Sequence, residues 1–495
     1  MSSVGANFRG IDSVVESGGL FGIWNHPLAS KITYFGLHAL QHRGQTSAGI
    51  VSKHNESFKS FRGSGLISHV FDSETKLDTL EGNCAIGQVR SATVSDQKDD
   101  SNIQPLLFHF NNQSIAITHN GNLTEALSLR RELEDDGAVF STNSAAEILI
   151  HLIRRSKENE FSKAFEKSIA SLKGGFSFCL LTDNALYGAV DRHGFRPLII
   201  GQFPNESYIL ASETCVLSSI GAKYVTELKA GQYVVINEDG YHINQYTTEE
   251  TTTLEPMEFI YFSRPDSDIA GINVHSARKE MGRRLAIEEP TPTGDIVIGV
   301  PNSSLSSASG YAEQHGLPYE IGLIKHQYIG RTFIQPTQEL REQGVRYKLS
   351  AVESLIKGKS IVLVDDSIVR GTTIKHLVKL LKEAGAKEVH LRIASPPIRF
   401  PNYYGINTTH TKELIASMYT IFELNQLFGS DSLGYLSVQG LVDSINFDPN
   451  IATQGVSLDA YTGVYPSDIG DYKEEFEASL TPLQIKILKG DNCDE

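Results

Sequence analysis

One stretch constrains this chain more than any other: Ile361-Val362-Leu363-Val364-Asp365-Asp366-Ser367-Ile368-Val369-Arg370-Gly371-Thr372-Thr373. Four apolar residues in succession read as a strand buried on both faces. Two acids follow at its C-terminal end, where open α/β sheets place their ligands. A short turn with Gly371 and two threonines comes next. A helix is then expected from Thr372 to Ala386, because Ile374, Leu377, Val378 and Leu381 recur at helical spacing and Gly385 is a stop signal. Backbone N–H groups of the 369–373 turn, the Thr hydroxyls and the helix N-terminus together form a cradle for an anion. The two carboxylates cannot bind a phosphate themselves. They can accept hydrogen bonds from ribose hydroxyls, or meet a Mg²⁺ held by a pyrophosphate. The chemistry of the stretch therefore suits a sugar phosphate.

The surrounding sequence has the rhythm of a parallel sheet with crossover helices: DIVIGVP (295–301), SASGYAEQHG, SIVLVDDS (360–367) and EVHLRIAS (388–395). Residues 19–240 have a different texture. Short β-like runs such as GLFGIW, CAIGQV, SIAITHNG and FSFCLLT are broken by turns, with helical stretches at Ala145–Ser156 and Phe161–Leu172. That pattern predicts an α+β layered domain. The Thr-rich, Pro-terminated segment 246–256 reads as a linker or an edge strand between the two. The tail from about 430 reads as two helical pieces in irregular sequence.

A chain of 495 residues exceeds one ordinary core. Its formal net charge of −15 argues against non-specific nucleic-acid or membrane-surface binding, both of which call for basic patches. No apolar run is long enough to span a bilayer, and the first residues lack the apolar stretch of a secretion signal. Cys84, Cys179, Cys215 and Cys493 form no CxxC pair and suggest no disulfide framework, which points to a reducing cytoplasm.

The 361–373 stretch resembles the phosphoribosyl pyrophosphate (PRPP) motif of type I phosphoribosyltransferases. Further matches sharpen this to the amidophosphoribosyltransferase (glutamine PRPP amidotransferase) family, over about residues 16–470. Gly330-Arg331-Thr332-Phe333-Ile334-Gln335-Pro336, with Arg341, Arg346 and Lys348, resembles that family's closing loop. Gly299-Val300-Pro301-Asn302-Ser303-Ser304 resembles its pyrophosphate loop, and Tyr261 to Ser267 with Asn273-Val274-His275 and Arg278 the opening of its transferase domain. The resemblance implies that Asp365 and Asp366 hold the ribose and that Ser367, Val369, Arg370, Gly371, Thr372 and Thr373 take the 5′-phosphate. It implies that Ser303 and Ser304 approach the pyrophosphate, that Ser303, Asp365 and Asp366 lie near Mg²⁺, and that Arg331 and Lys348 steady the leaving pyrophosphate.

In the first half, Gly19-Leu20-Phe21-Gly22-Ile23-Trp24, Leu40-Gln41-His42-Arg43-Gly44-Gln45 and His119-Asn120-Gly121-Asn122 resemble the glutaminase half of the same family, an N-terminal-nucleophile hydrolase. There a cysteine precedes the Gly-x-Phe-Gly-Ile segment, and a short propeptide is removed to free its amine. Here that position is Gly18, which cannot form a thioester. The family's His-Val-Arg-Tyr reads Gln88-Val89-Arg90-Ser91, its Gln-Glu-Gly-Ala-Gly reads Gln45-Thr46-Ser47-Ala48-Gly49, and the aspartate expected to hold the glutamine amine reads Ala145. Asn120 and Gly121 match the oxyanion donors, and Arg90 the partner of the glutamine carboxylate. Some members carry an iron–sulfur cluster on four cysteines; the matching positions here read Glu255, Asn402, Gln454 and Ser457, so none is expected.

The division expected is a propeptide-like extension at 1–17, a glutaminase-like domain at 18–250 that has lost its activity, a phosphoribosyltransferase domain at 251–430 and a C-terminal helical segment at 431–495. The activity expected is transfer of free ammonia to PRPP, giving phosphoribosylamine and pyrophosphate, the first step of purine synthesis. The resemblance also implies a homotetramer and inhibition by purine nucleotides. Other readings are a non-catalytic binder that senses PRPP or nucleotides or forms mixed oligomers with an active paralogue, a glutaminase using Ser17 one residue out of register, and a PRPP-binding DNA regulator. The last lacks a recognisable helix-turn-helix segment and a basic face.

Overall fold

The structure is a computed structural model describing residues 17–55, 57–91, 100–110, 113–248, 251–326, 349–406, 408, 410–452 and 454–490. Arg331, Lys348 and the basic loop they belong to lie outside the described residues, as do residues 1–16. The chain forms two compact units: Met1–Thr252 with Tyr403–Thr409 and Ser467–Tyr472, and Thr253–Asn402 with His410–Pro466 and Lys473–Glu495.

The first unit is built on two antiparallel sheets. Seven strands run in the order Lys223–Glu227, Ile199–Gln202, Tyr208–Ala211, Ser17–Trp24, Cys84–Ser91, Ser47–His54 and Ser57–Ser64. Six run in the order Gly240–Gln245, Gln232–Asn237, Leu186–Val190, Gly174–Leu181, Gln113–Leu123 and Leu106–Phe110. Successive side chains on a strand point to opposite faces, and the apolar residues are sorted accordingly. Leu20, Ile86 and Val51 share one core with Cys179, Leu181, Val190 and Val234, the layer between the sheets. Phe21, Ile23 and Val89 turn the other way, onto Leu37 and Leu40 of the helix Ala29–Ala39 and its C-terminal turn. On the far side of the six-stranded sheet, Phe176 and Phe178 pack on Leu149, Ile153, Phe165 and Ile169 of the helices Ala145–Arg155 and Phe161–Ala170. The layering is helix, sheet, sheet, helix, the α+β architecture expected.

Two late segments complete this unit. Tyr403 O accepts from Asn122 Nδ2 at 2.8 Å, and Tyr404 O accepts from Arg196 Nη2 at 2.9 Å. The Asp471 carboxylate accepts from the backbone N–H groups of Leu127 and Ser128, at the start of the helix Ala126–Asp135. The division expected from sequence, with everything after 431 forming a separate helical piece, is corrected on this point.

The second unit holds a parallel sheet in the order Ile296–Gly299, Ser360–Asp365, Glu388–Ile393 and Ser432–Tyr435. Its last strand lies beyond the expected boundary at 430/431, because the sheet buries Tyr435 among Leu391, Ile393 and their neighbours. The helix after the acid pair runs Thr372–Glu383, and its Ile374, Leu377, Val378 and Leu381 are buried against the sheet as their spacing requires. Among the described residues beyond 431 there are four α-helices rather than two helical pieces: Val438–Ile445, Asp459–Thr462, Lys473–Ser479 and Pro482–Leu488. Among the described residues no helix is long and apolar enough to cross a membrane.

Candidate functional site

Asp365 ends the buried strand Ser360–Asp365, and Asp366 follows at the carboxyl edge of the sheet. The neighbouring strand brings a second loop alongside, because Val300 N–H donates to Val364 O at 3.0 Å. Ser304, fully buried, then donates its hydroxyl to Asp365 Oδ1 at 2.8 Å, and the Asp366 N–H donates to the same oxygen at 2.9 Å. Ser367 Oγ donates to Asp366 Oδ1 at 2.7 Å. Burial drives both carboxyls above their ordinary range. Asp365 is raised further by its neighbour Asp366, while hydrogen bonds from Ser303 and Ser367 and the charge of Arg278 pull Asp366 back. Arg278 is itself buried and held by Phe259 O at 2.5 Å and Ser263 O at 2.9 Å.

The turn after the acids is shaped by position rather than by capping side chains. Gly371 sits at φ +73° as the N-cap of the Thr372–Glu383 helix and makes no side-chain cap bond. A Cβ there would stand 2.7 Å from Phe428 Cε1 and 2.9 Å from Ile415 Cδ1. Thr372 and Thr373 are exposed at the open N-terminus of the helix, where backbone N–H groups and the helix dipole favour an anion. Val369 O accepts from the Ile415 N–H at 2.9 Å, and Arg370 Nη2 donates to Glu413 Oε2 at 2.6 Å. Ser303, Ser304, Asp365, Asp366, Ser367, Val369, Arg370, Gly371, Thr372 and Thr373 thus belong to two adjoining loops at one end of the sheet.

In the first unit, Gly18 is register partner to Arg90, which also pairs with Ser47. The Gly18 N–H donates to Asn120 Oδ1 at 3.0 Å, and Arg43 Nε donates to Gly18 O at 3.1 Å. Gln88 Nε2 donates to His119 O at 2.6 Å and would lie 3.0 Å from a Cβ on Gly18, with Val89 O at 2.6 Å. Gly121 has φ +132°, and a Cβ there would stand 2.0 Å from Gly175 O, so only glycine fits. Ala145 opens the Ala145–Arg155 helix, is buried and brings no charge.

Local pattern gave no sign of Glu213. Its buried carboxylate accepts from Arg43 Nη1 at 2.6 Å and contacts His42 Nε2 at 2.7 Å. Burial alone would raise that carboxyl, but the Arg43 and His42 charges hold it well below the usual range. Burial pushes the Cys84 thiol up to about 11 and Cys179 higher still, so neither supplies a thiolate at neutral pH. Of the positions matched to cluster ligands, Asn402 and Glu255 bond to one another, while Ser457 and Gln454 bond to Asp459 and Asn446. Asn402 Nδ2 donates to Glu255 Oε2 at 3.1 Å and to Asp459 Oδ2 at 3.0 Å, Ser457 Oγ donates to Asp459 Oδ1, and Gln454 N–H donates to Asn446 Oδ1 at 2.7 Å.

These two sites, on these two units, define a glutamine amidotransferase-type domain joined to a phosphoribosyltransferase. The glutamine amidotransferase domain family matches residues 89–219, and the phosphoribosyl transferase domain family residues 283–394. An amidophosphoribosyltransferase of Staphylococcus epidermidis is 52% identical over 483 residues, 98% of this chain and 97% of the relative. One of Bacillus subtilis is 48% identical over 465 residues, 94% and 96% of the two chains. The solved structure of the glutamine PRPP amidotransferase from B. subtilis complexed with ADP and GMP superposes with a TM-score of 0.86 at 47% identity, covering 94% of this chain and 100% of that one. The chain belongs to the amidophosphoribosyltransferase family, and it is an enzyme of the pentosyltransferase class.

Proposed function

We propose that this protein transfers ammonia to PRPP in purine biosynthesis and that its glutaminase half is silent. The observation that carries the first part is the pair of adjoining loops at the carboxyl edge of the parallel sheet. The 369–373 amides and the Thr372 and Thr373 hydroxyls take the 5′-phosphate. Asp365 and Asp366 hydrogen-bond the ribose hydroxyls, and whichever of the pair is ionised turns its negative charge towards the carbon that becomes electron-poor as the leaving group departs. Ammonia's nitrogen forms the new bond to ribose C1, the bond from C1 to the pyrophosphate oxygen breaks with its electron pair leaving on that oxygen, and one proton is lost from nitrogen. Arg331 and Lys348 are assigned to the leaving pyrophosphate on resemblance alone. Mg²⁺ fits a donor set of hard oxygens from Asp365, Asp366 and Ser303, too few to satisfy it without the pyrophosphate and water. When bound, it would neutralise charge on the leaving group.

The second part is supported at Gly18. It carries no side chain, the Gln88 amide stands beside the space a thiol would need, and Ala145 leaves the glutamine amine without a carboxylate. Arg90, Asn120 and Gly121 are then retained architecture. An iron–sulfur cluster is excluded from the proposal, since Glu255, Asn402, Gln454 and Ser457 offer no thiolates. A homotetramer and inhibition by purine nucleotides are carried on the resemblance, a relative having been solved in complex with ADP and GMP, and a cytoplasmic setting on the cysteine pattern. The runner-up, a PRPP-binding regulator without turnover, is separated by one assay. Pyrophosphate release from PRPP with saturating ammonium is expected for the native chain and its loss for Asp366→Asn. No release from the native chain would sink the proposal.

A further inference from the structure

The acids and the phosphate turn come from one continuous stretch, yet that stretch does not fix the shape of its own turn. Three successive turn residues are held by one distant segment. The Val369 carbonyl accepts the Ile415 N–H at 2.9 Å, Arg370 bonds to Glu413 at 2.6 Å, and the open face of Gly371 rests on Ile415 and Phe428. The supporting segment is two tight turns, Thr411–Glu413 and Ile415–Ser417, followed by the capped helix Ile421–Phe428. It is braced from beneath. Ser417 Oγ donates to Leu414 O at 2.7 Å, Thr481 Oγ1 donates to Ser417 O at 2.5 Å, and Thr411 Oγ1 shares a hydrogen bond with Ser479 Oγ at 3.0 Å. A phosphate cradle made of backbone amides binds only as well as those amides are aimed, so the residue that holds the turn sets affinity without touching substrate.

We infer that Glu413 is a positioning residue of the PRPP site: it anchors Arg370, and with Ile415 it sets the phosphate turn before substrate arrives. This rests on reading 369–373 as the phosphate turn. Of the three contacts, the other two are a backbone bond and apolar packing, and Glu413 alone can be neutralised without disturbing the core, being partly exposed. Seen from a bound phosphate, the charges of Glu413 and Arg370 offset one another. Neutralising Glu413 alone therefore exposes the Arg370 charge, which attracts the phosphate, and loosens the turn, which repels nothing but misdirects the amides. The inference holds that misdirection outweighs attraction. Neutralising both residues leaves the net charge unchanged and reports aim alone.

The test is PRPP affinity by calorimetry with Mg²⁺ in full-length Glu413→Gln, Arg370→Gln and the double variant, with Thr373→Val as control. For an exposed pair, Glu413→Gln should weaken PRPP binding about two- to five-fold. The double variant should be no weaker than Arg370→Gln, since the two act as one unit. In turnover with ammonium the KM for PRPP should rise while kcat holds and the melting temperature stays put. Glu413→Gln binding as tightly as the native chain, or more tightly, overturns the inference, as do additive effects in the double variant. Loss of kcat and stability together would mark Glu413 as merely structural. Unchanged binding in Thr373→Val would instead remove the phosphate-turn reading, and this inference with it.

Discussion

The side-chain amide of Gln88 stands 3.0 Å from the point that a Cβ on Gly18 would occupy, and it is tied there by a 2.6 Å bond to the His119 carbonyl. On the proposed reading, a residue without a side chain stands at the nucleophile position and the Gln88 amide reaches into the space beside it.

Restoring the thiol alone should therefore fail. In Gly18→Cys the new Cβ meets Val89 O at 2.6 Å, a backbone atom that cannot swing aside. Overpacking of that kind costs about 1–3 kcal/mol. A lower denaturant midpoint with no glutamine-dependent pyrophosphate release is expected. Glutaminase activity from that single change would show that the site is less altered than Gln88 and Ala145 imply.

Gly371→Ala should harm both stability and PRPP binding. The position has φ +73°, and a Cβ would press on Phe428 and Ile415. Holding the left-handed conformation costs an alanine roughly 1–2 kcal/mol before any clash is counted. The KM for PRPP is expected to rise, and an unchanged KM would mean that the turn tolerates another shape.

The acid pair should leave a mark on stability against pH. Burial, then repulsion from Asp366, pushes Asp365 up to about 8. In the unfolded chain an aspartate titrates near ~3.9. Between these values the folded state keeps a proton that the unfolded state has lost, so the contribution is full below ~4 and declines as pH rises towards 8. Denaturant midpoints without ligand should fall across that window, and Asp365→Asn should flatten the fall. An identical profile in the variant would assign the effect elsewhere.

Glu213→Gln should destabilise the first unit. It leaves Arg43 buried without its carboxylate, and breaking a buried pair costs roughly 3–5 kcal/mol. Because the Glu213 carboxyl is held low, its stabilisation is present above the ordinary glutamate range and lost as pH falls. Urea unfolding at pH 7 and at pH 4 should show the variant's deficit shrinking in acid.

The strand, the acids and the helix of the transferase site were legible because each follows from neighbouring residues: an apolar run, a turn glycine and a 3.6-residue period. The layered α+β character of the first unit was legible as short β-like runs broken by turns. What could not be read depends on partners far apart in sequence. Tyr403 and Asp471 join the first unit through bonds to Asn122 and Leu127, and Glu213 meets Arg43 across 170 residues. No local period encodes such pairings. Glu413 was missed for the same reason, since nothing in its own neighbourhood points to Arg370.

The central claim is a working transferase joined to a silent glutaminase. Pyrophosphate release from PRPP and Mg²⁺ should be measured on the native chain with glutamine or with ammonium chloride as the sole nitrogen source. Release with ammonium and none with glutamine is the expected result; release with glutamine at a comparable rate would contradict it.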